Sequence, residues 1–299
     1  MGITPDLAFA AAAVLLALKR FPPCGEYDVV LHHGGVGARD LALLSSVHPC
    51  HFVPYRCPED IRTRIPGRTL RAFSALVFAK YECFELLRRY TQVIWLDADL
   101  LIKGDTTALV ERGRRGAAFA REDKPLRFNF SGDIAGFDLQ RPFFNAGLFV
   151  LSDRLRGWED ARAWLLDATV RYADQAVMGE QGILNLWLQQ QRIEPAALLP
   201  EYNVFRHRPG AERARIVHGV GHHKPWMDFA DAAWNADYER WLAMGGTPCP
   251  VRKTIHFMAT RHPDPRRHPG ELRSRATQIA GFLIRRARAA RRARLATEA

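Results

Sequence analysis

Two carboxylates, Asp97 and Asp99, stand one residue apart at the end of the short apolar run 93–96. In extended chain, residues i and i+2 point the same way, so both carboxylates can converge on one point. Side-by-side carboxylates repel unless a cation or a proton lies between them. At the carboxyl end of a strand buried on both faces, where open α/β sheets bind ligands, a divalent ion is the natural occupant. A surface turn after a strand explains the same pair without any chemistry. A second stretch, 216–226, reads Ile-Val-His-Gly-Val-Gly-His-His-Lys-Pro-Trp. Its strand-like start delivers His218, and Gly219 and Gly221 permit close backbone approach. Lys224 stands before a rigid Pro-Trp pair. A neutral imidazole can complete the coordination of a metal held by carboxylates. A lysine six residues on can meet a phosphate as a point charge. His256 is a rival histidine, without the glycine and lysine downstream.

Other residues carry weaker signals. Asn145 is a polar residue inside the apolar run 143–150, which is costly unless it is hydrogen-bonded. It satisfies local backbone or faces a ligand. Glu180 and Gln181 follow Gly179 and precede an apolar run, which is a helix start, and a partner for the helix dipole is the plain reading of Glu180. Lys80 lies among apolar neighbours, where a solvated or snorkelling lysine is usual. His32 and His33 precede two glycines and read as a loop, because adjacent histidines rarely aim at one ion.

These residues need a scaffold, and the apolar pattern predicts one. Residues 1–4 look like the end of a strand, 6–20 a helix, 27–31 a strand, 36–46 a helix and 51–55 a strand. One long helix is predicted over 70–89, then the strand at 93–96. Further strands are expected over 116–121 and 143–150, with a loop across the site between them at 123–138. Helices follow over 158–172 and from 180. A parallel α/β domain normally opens on a full strand. Here only a stub precedes the first helix, so either this edge is short or the strand starts upstream.

At 299 residues, with 47% hydrophobic and 25% charged side chains, the chain has ample core material. Five cysteines in no metal-ligand spacing read as reduced thiols of a cytoplasmic protein rather than a disulfide framework. The apolar run 7–18 is too short to span a bilayer and lacks the flanks of a signal peptide. The net charge of +11 is concentrated: residues 261–299 hold eleven arginines against three acids. We therefore divide the chain into a domain over 1–260 and a basic tail over 261–299. The tail fits peripheral contact with an anionic membrane surface or a plain solvated helix. No stacking platform accompanies it, so nucleic acid is not an expected partner.

The order of blocks resembles glycosyltransferase family 8. Those blocks are Asp97-Ala98-Asp99, then 144–150 (Phe-Asn-Ala-Gly-Leu-Phe-Val), 179–185 (Gly-Glu-Gln-Gly-Ile-Leu-Asn), 199–203 (Leu-Pro-Glu-Tyr-Asn), and His218-x-x-Gly221-x-x-Lys224-Pro225-Trp226. The resemblance covers roughly residues 1–230. It implies the GT-A fold, a Rossmann-like α/β domain with a mixed, mostly parallel sheet flanked by helices. It implies a retaining, glycogenin-like hexosyltransferase that uses a UDP-sugar, UDP-glucose or UDP-galactose, with Mn²⁺ or Mg²⁺. The acceptor would be an unidentified carbohydrate, lipid or protein. Lipopolysaccharide galactosyltransferases of this family also carry a basic, membrane-associated C-terminal segment. By position, Asp97, Asp99 and His218 would bind the metal, and Lys224 the donor diphosphate with Gly221 close by. Lys80 and Arg71 would flank the diphosphate and sugar, Ala98 the ribose, and Thr4 and Asp6 the uridine. Asn145, Glu180 and Gln181 would face the transferred sugar as catalytic candidates. Glycogenin has aspartate where this chain has Glu180. A protein that binds nucleotide sugar or docks on a membrane without turnover is the alternative.

Overall fold

The computed structural model describes residues 1–250, apart from His222 and Phe229. His256 and the basic tail lie outside the described residues. Strand β1 (Gly2–Ile3) is the stub expected from sequence, and a 3-10 turn (Pro5–Leu7) leads into α1 (Ala8–Arg20). Every residue of α1 from Ala8 to Leu18 is buried. Its run of alanines makes this possible, because a narrow helix can be enclosed on all sides. Next come β2 (Val29–His33), α2 (Ala38–Val47) and β3 (Cys50–Pro54). Strands β1, β2 and β3 form a parallel sheet with Gly2 opposite His32 and His33 opposite Pro54. Pairing on both sides carries β2 two residues beyond its predicted end. His32 and His33 are therefore buried strand residues and not a loop.

The predicted helix over 70–89 is broken. Helix α3 (Glu59–Arg64) precedes α4 (Gly67–Phe73), and α4 ends at Ser74, whose φ of 65° no α-helix can contain. The Ser74 hydroxyl caps the following 3-10 helix, Ala75–Tyr81, by accepting from the Leu76 amide, and α5 (Glu82–Leu86) completes the segment. The break turns Lys80 inward, so it is neither solvated nor snorkelling.

Strands β4 (Gln92–Leu96) and β5 (Leu100–Ile102) follow, then α6 (Thr107–Gly113), β6 (Ala117–Pro125) and a 3-10 turn at Leu126–Asn129. Strand β7 (Pro142–Ser152), helices α7 (Ala161–Arg171) and α8 (Glu180–Gln190), and strands β8 (Ala196–Ala197), β9 (Val204–Phe205) and β10 (Ile216–His218) come next. Helices α9 (Pro225–Asp228) and α10 (Ala232–Ala243) close the described chain. The second sheet runs β4-β7-β6-β8 and the third β5-β10-β9. Parallel pairing dominates the β1-β2-β3 flank, whereas β7 is antiparallel to both of its neighbours. The architecture is mixed α/β, as expected. One apolar core surrounds α1, and the other lies between β7 and helices α7 and α8. Strand β4 ends between them.

A cavity of about 240 Å³ separates β2 from β4, lined by Val29, Val30, His32, Ile94 and Trp95 among others. It contains none of the metal or phosphate candidates. Neither ring nitrogen of His32 has a hydrogen-bond partner. Burial, helped by the nearby chain-terminal ammonium and His33, pushes His32 down to about 4. The unfolded chain takes up that proton near pH 6.5. The stability gained from a neutral His32 is therefore full above pH 6.5 and is lost as pH falls through about 4. A His32→Leu variant is expected to lose less of its Tm than the parent between pH 6.5 and 4. Parallel slopes would contradict this.

Candidate active site

The Asp97-Ala98-Asp99 segment is not extended. Strand β4 stops at Leu96, and residues 97–99 turn the chain into β5. The two carboxylates converge through this turn, closed by the Leu100 amide donating to the Asp97 carbonyl at 3.3 Å, and not by alternation along a strand. Strand β10 pairs antiparallel with β5, His218 opposite Leu100, which brings the imidazole to the same corner. Asp97, Asp99 and His218 each offer a ligand atom, all within 4.8 Å of one another.

The surrounding backbone is built for that convergence. A Cβ on Gly147 of β7 would lie 2.0 Å from Cε1 of His218. The same glycine accepts from the Asp97 amide at 2.9 Å and donates to Asn145 Oδ1 at 2.9 Å. Gly219 donates to the Asp99 carbonyl at 3.0 Å, and a Cβ there would meet Pro225 at 2.8 Å. Gly221 has φ 58°, the left-handed region that favours glycine.

Each carboxylate also has a lysine. Lys224 contacts Asp99 Oδ2. Asp99 Oδ1 lies 3.2 Å from His218 Nε2 without making a hydrogen bond to it. Two ligand atoms of one ion stand at about this separation, since metal–ligand distances near 2.1 Å subtend about 3 Å at a right angle. Two carboxylates and an imidazole form a donor set suited to a divalent metal ion. Burial works to raise the pKa of Asp99, but Lys224 and His218 outweigh it and hold the carboxyl well below the usual range. Asp97 Oδ1 accepts from Trp95 Nε1 at 2.7 Å, and Oδ2 accepts from Lys80 Nζ at 3.1 Å.

Lys80 also donates to Glu180 Oε1 at 2.5 Å, and both side chains are buried. Burial would lower the pKa of this lysine, but Asp97 and Glu180 raise it above its ordinary value. Burial raises Glu180, and Lys80 offsets this only in part. Glu180 opens α8 after Gly179, whose φ is 61°. The expected helix start is present, but the carboxylate meets a lysine as well as the dipole.

Gln181 enters an amide network. Its Oε1 accepts from Asn145 Nδ2 and the Ala146 amide, each at 3.2 Å, and its Nε2 donates to Asn129 Oδ1 at 2.9 Å. Asn203 Nδ2 donates to Asn145 Oδ1 at 3.0 Å. Asn145 is therefore held by one local amide, that of Gly147, and by two side chains distant in the chain, Gln181 and Asn203. Trp95, Asn129 and Asn203 join the site without being among the residues expected there. Trp95 has a signal in the chain: it lies two positions before Asp97. Asn129 has none, because only folding of the 126–129 turn brings it to α8.

The remaining candidates are more distant or less defined. Thr4 Oγ1 donates to Asp6 Oδ1 at 2.6 Å on the turn after β1. Ala98 is buried between the two aspartates. Arg71 lies on α4, with its side chain outside what is described.

The sequence profile of glycosyl transferase family 8 matches residues 41–230, more than half of the chain. The chain belongs to glycosyl transferase family 8. The three metal candidates, both lysines and the whole amide network fall within the matched span, whereas Thr4 and Asp6 precede it. Glycosyltransferase GlyE of Streptococcus pneumoniae is 27% identical over 172 residues, covering 52% of this chain and 38% of that protein. The lipopolysaccharide 1,2-glucosyltransferase of Escherichia coli K12 is 24% identical over 207 residues, covering 64% of this chain and 60% of its own length. This chain thus spans less than two thirds of either relative. The crystal structure of galactosyltransferase LgtC with donor and acceptor sugar analogs superposes with a TM-score of 0.63 at 16% identity, over 81% of this chain and 98% of LgtC. At that identity the likeness speaks for the fold, which is GT-A.

Proposed function

We propose that this glycosyltransferase is a divalent-metal-dependent, retaining hexosyltransferase that uses a UDP-sugar, either UDP-glucose or UDP-galactose. The convergence of Asp97, Asp99 and His218, with Lys224 beside them, carries the reading. A nucleoside diphosphate gains negative charge as its bond to the sugar breaks. Mn²⁺ or Mg²⁺ held by those three residues would stabilise that charge where it develops. Lys224 would turn from Asp99 to the diphosphate, and the Gly221 backbone gives it room. Lys80 and Arg71 flank the donor, Ala98 lies by the ribose, and Thr4 and Asp6 bind the uridine.

Asn145, Glu180 and Gln181 are assigned to the transferred sugar. A covalent route would need Glu180 or Gln181 as nucleophile. The Glu180 oxygen that meets Lys80 is engaged at 2.5 Å, and Gln181 Oε1 accepts two hydrogen bonds. An amide is a poor nucleophile in any case. These contacts favour front-face attack, with Glu180 and Gln181 orienting the sugar.

A screen of UDP-sugars for Mn²⁺-dependent UDP release tests the reading. Release is expected from UDP-glucose or UDP-galactose and should vanish in Asp97→Ala. Tight UDP binding with no turnover on any donor would instead support a non-catalytic binding protein. The carbohydrate, lipid or protein acceptor follows from the same assay with candidate acceptors. The basic tail would hold the enzyme at an anionic membrane surface on the cytoplasmic side.

A further inference from the structure

Lys80 touches two carboxylates that come from different parts of the fold. Asp97 follows β4, and Glu180 begins α8. One ammonium therefore stands between a residue of the metal triad and a residue on the sugar side. Lys80 and Glu180 have only 5% of their side-chain surface exposed, and Asp97 has 26%. Water cannot easily take the place of that ammonium.

A buried glutamate beside an aspartate of a metal triad is itself a ligand of the right kind. Divalent ions that prefer oxygen accept further carboxylates readily, and affinity rises with the number of charged ligands. Trp95 Nε1 fixes Asp97 from its other oxygen, and the Trp95 ring lies 5.9 Å from the Lys80 ammonium. Asp97 is thus held from both sides, whereas Glu180 Oε1 is held off by Lys80. The 3-10 helix carrying Lys80 exists because the chain breaks at Ser74, so an otherwise costly buried lysine is delivered to this spot.

We infer that Lys80 is a positioning residue that keeps Glu180 out of the metal coordination sphere, limiting the protein ligands to Asp97, Asp99 and His218 and reserving Glu180 for the sugar. The inference rests on the metal-dependent reading of the site. It assigns Lys80 a duty that is complete before any donor binds.

The test uses the full chain without nucleotide. Co²⁺ is titrated into the protein and followed by calorimetry and by its visible absorption, which reports the ligand set. Lys80→Met is expected to bind Co²⁺ about tenfold more tightly or better, with a changed spectrum. Adding Glu180→Gln should return the spectrum to that of the parent. Lys80→Arg, which keeps the charge, should leave it unchanged. A Lys80→Met spectrum identical to the parent's would overturn the inference, as would a change that persists in the double variant. Lys80→Gln serves in the same comparison should Lys80→Met not fold. A parent protein that binds no Co²⁺, with or without UDP, would overturn the metal reading itself.

Discussion

Asp99→Ala should lower metal-dependent turnover by about a hundred- to a thousandfold, the scale seen when one preorganised charge-stabilising group is removed. Asp99 stands between two of the proposed participants, Lys224 and His218. One carboxylate oxygen meets Lys224, and the other stands 3.2 Å from Nε2 of His218. Its backbone carbonyl also receives the Gly219 amide at 3.0 Å. The carboxylate is almost fully buried, so water does not replace it. Asp99→Asn is the sharper comparison because it keeps the shape and removes the charge. It should lose Mn²⁺ binding, measured by calorimetry without donor, while keeping the parent's circular dichroism. Turnover near the parent's in either variant would exclude Asp99 from the metal site.

The second large effect is expected at a residue that touches no ligand through a side chain. Gly147→Val puts a branched side chain where even a single Cβ would stand 2.0 Å from Cε1 of His218. His218 packs against Phe205 and is nearly fully buried, so it has no free space to enter. Either the imidazole leaves the triad or β7 shifts, and β7 also carries the carbonyl that fixes the Asp97 amide. Overpacking of this kind costs roughly 1–3 kcal/mol. Displacing a metal ligand's support costs roughly 10- to 100-fold in affinity. Gly147→Ala should show the smaller version of both losses. A variant with unchanged Tm and unchanged Mn²⁺ affinity would mean that His218 is not held where the geometry puts it.

Much of this site is legible in the chain. Short polar motifs at the ends of apolar runs mark where strands deliver chemistry, and Asp97, Asp99, His218 and Lys224 all stand out that way. Asn145 stands out as the one amide in the apolar run that becomes β7. These signals survive because they are local: residue type and immediate neighbours suffice to raise them. The routes to the site are less legible. Alternation along an extended strand would bring the two aspartates together, yet a turn between β4 and β5 does so instead. The apolar spacing over 70–89 looks like one helix, because periodicity does not register a single residue with positive φ such as Ser74.

What the sequence determined by itself was therefore the inventory of reactive groups, the family that uses them and most of the strands and helices. Only the tertiary structure decided who meets whom. Lys80 reads as an ordinary helical lysine until the break at Ser74 turns it between Asp97 and Glu180, which is 100 residues away in the chain. Asn129 carries no signal until its turn packs on α8 and receives Gln181. Trp95 counts only once its indole is seen to donate to Asp97. The reason is physical: a buried polar group is tolerated only where its partner arrives, and that partner can come from any distance along the chain.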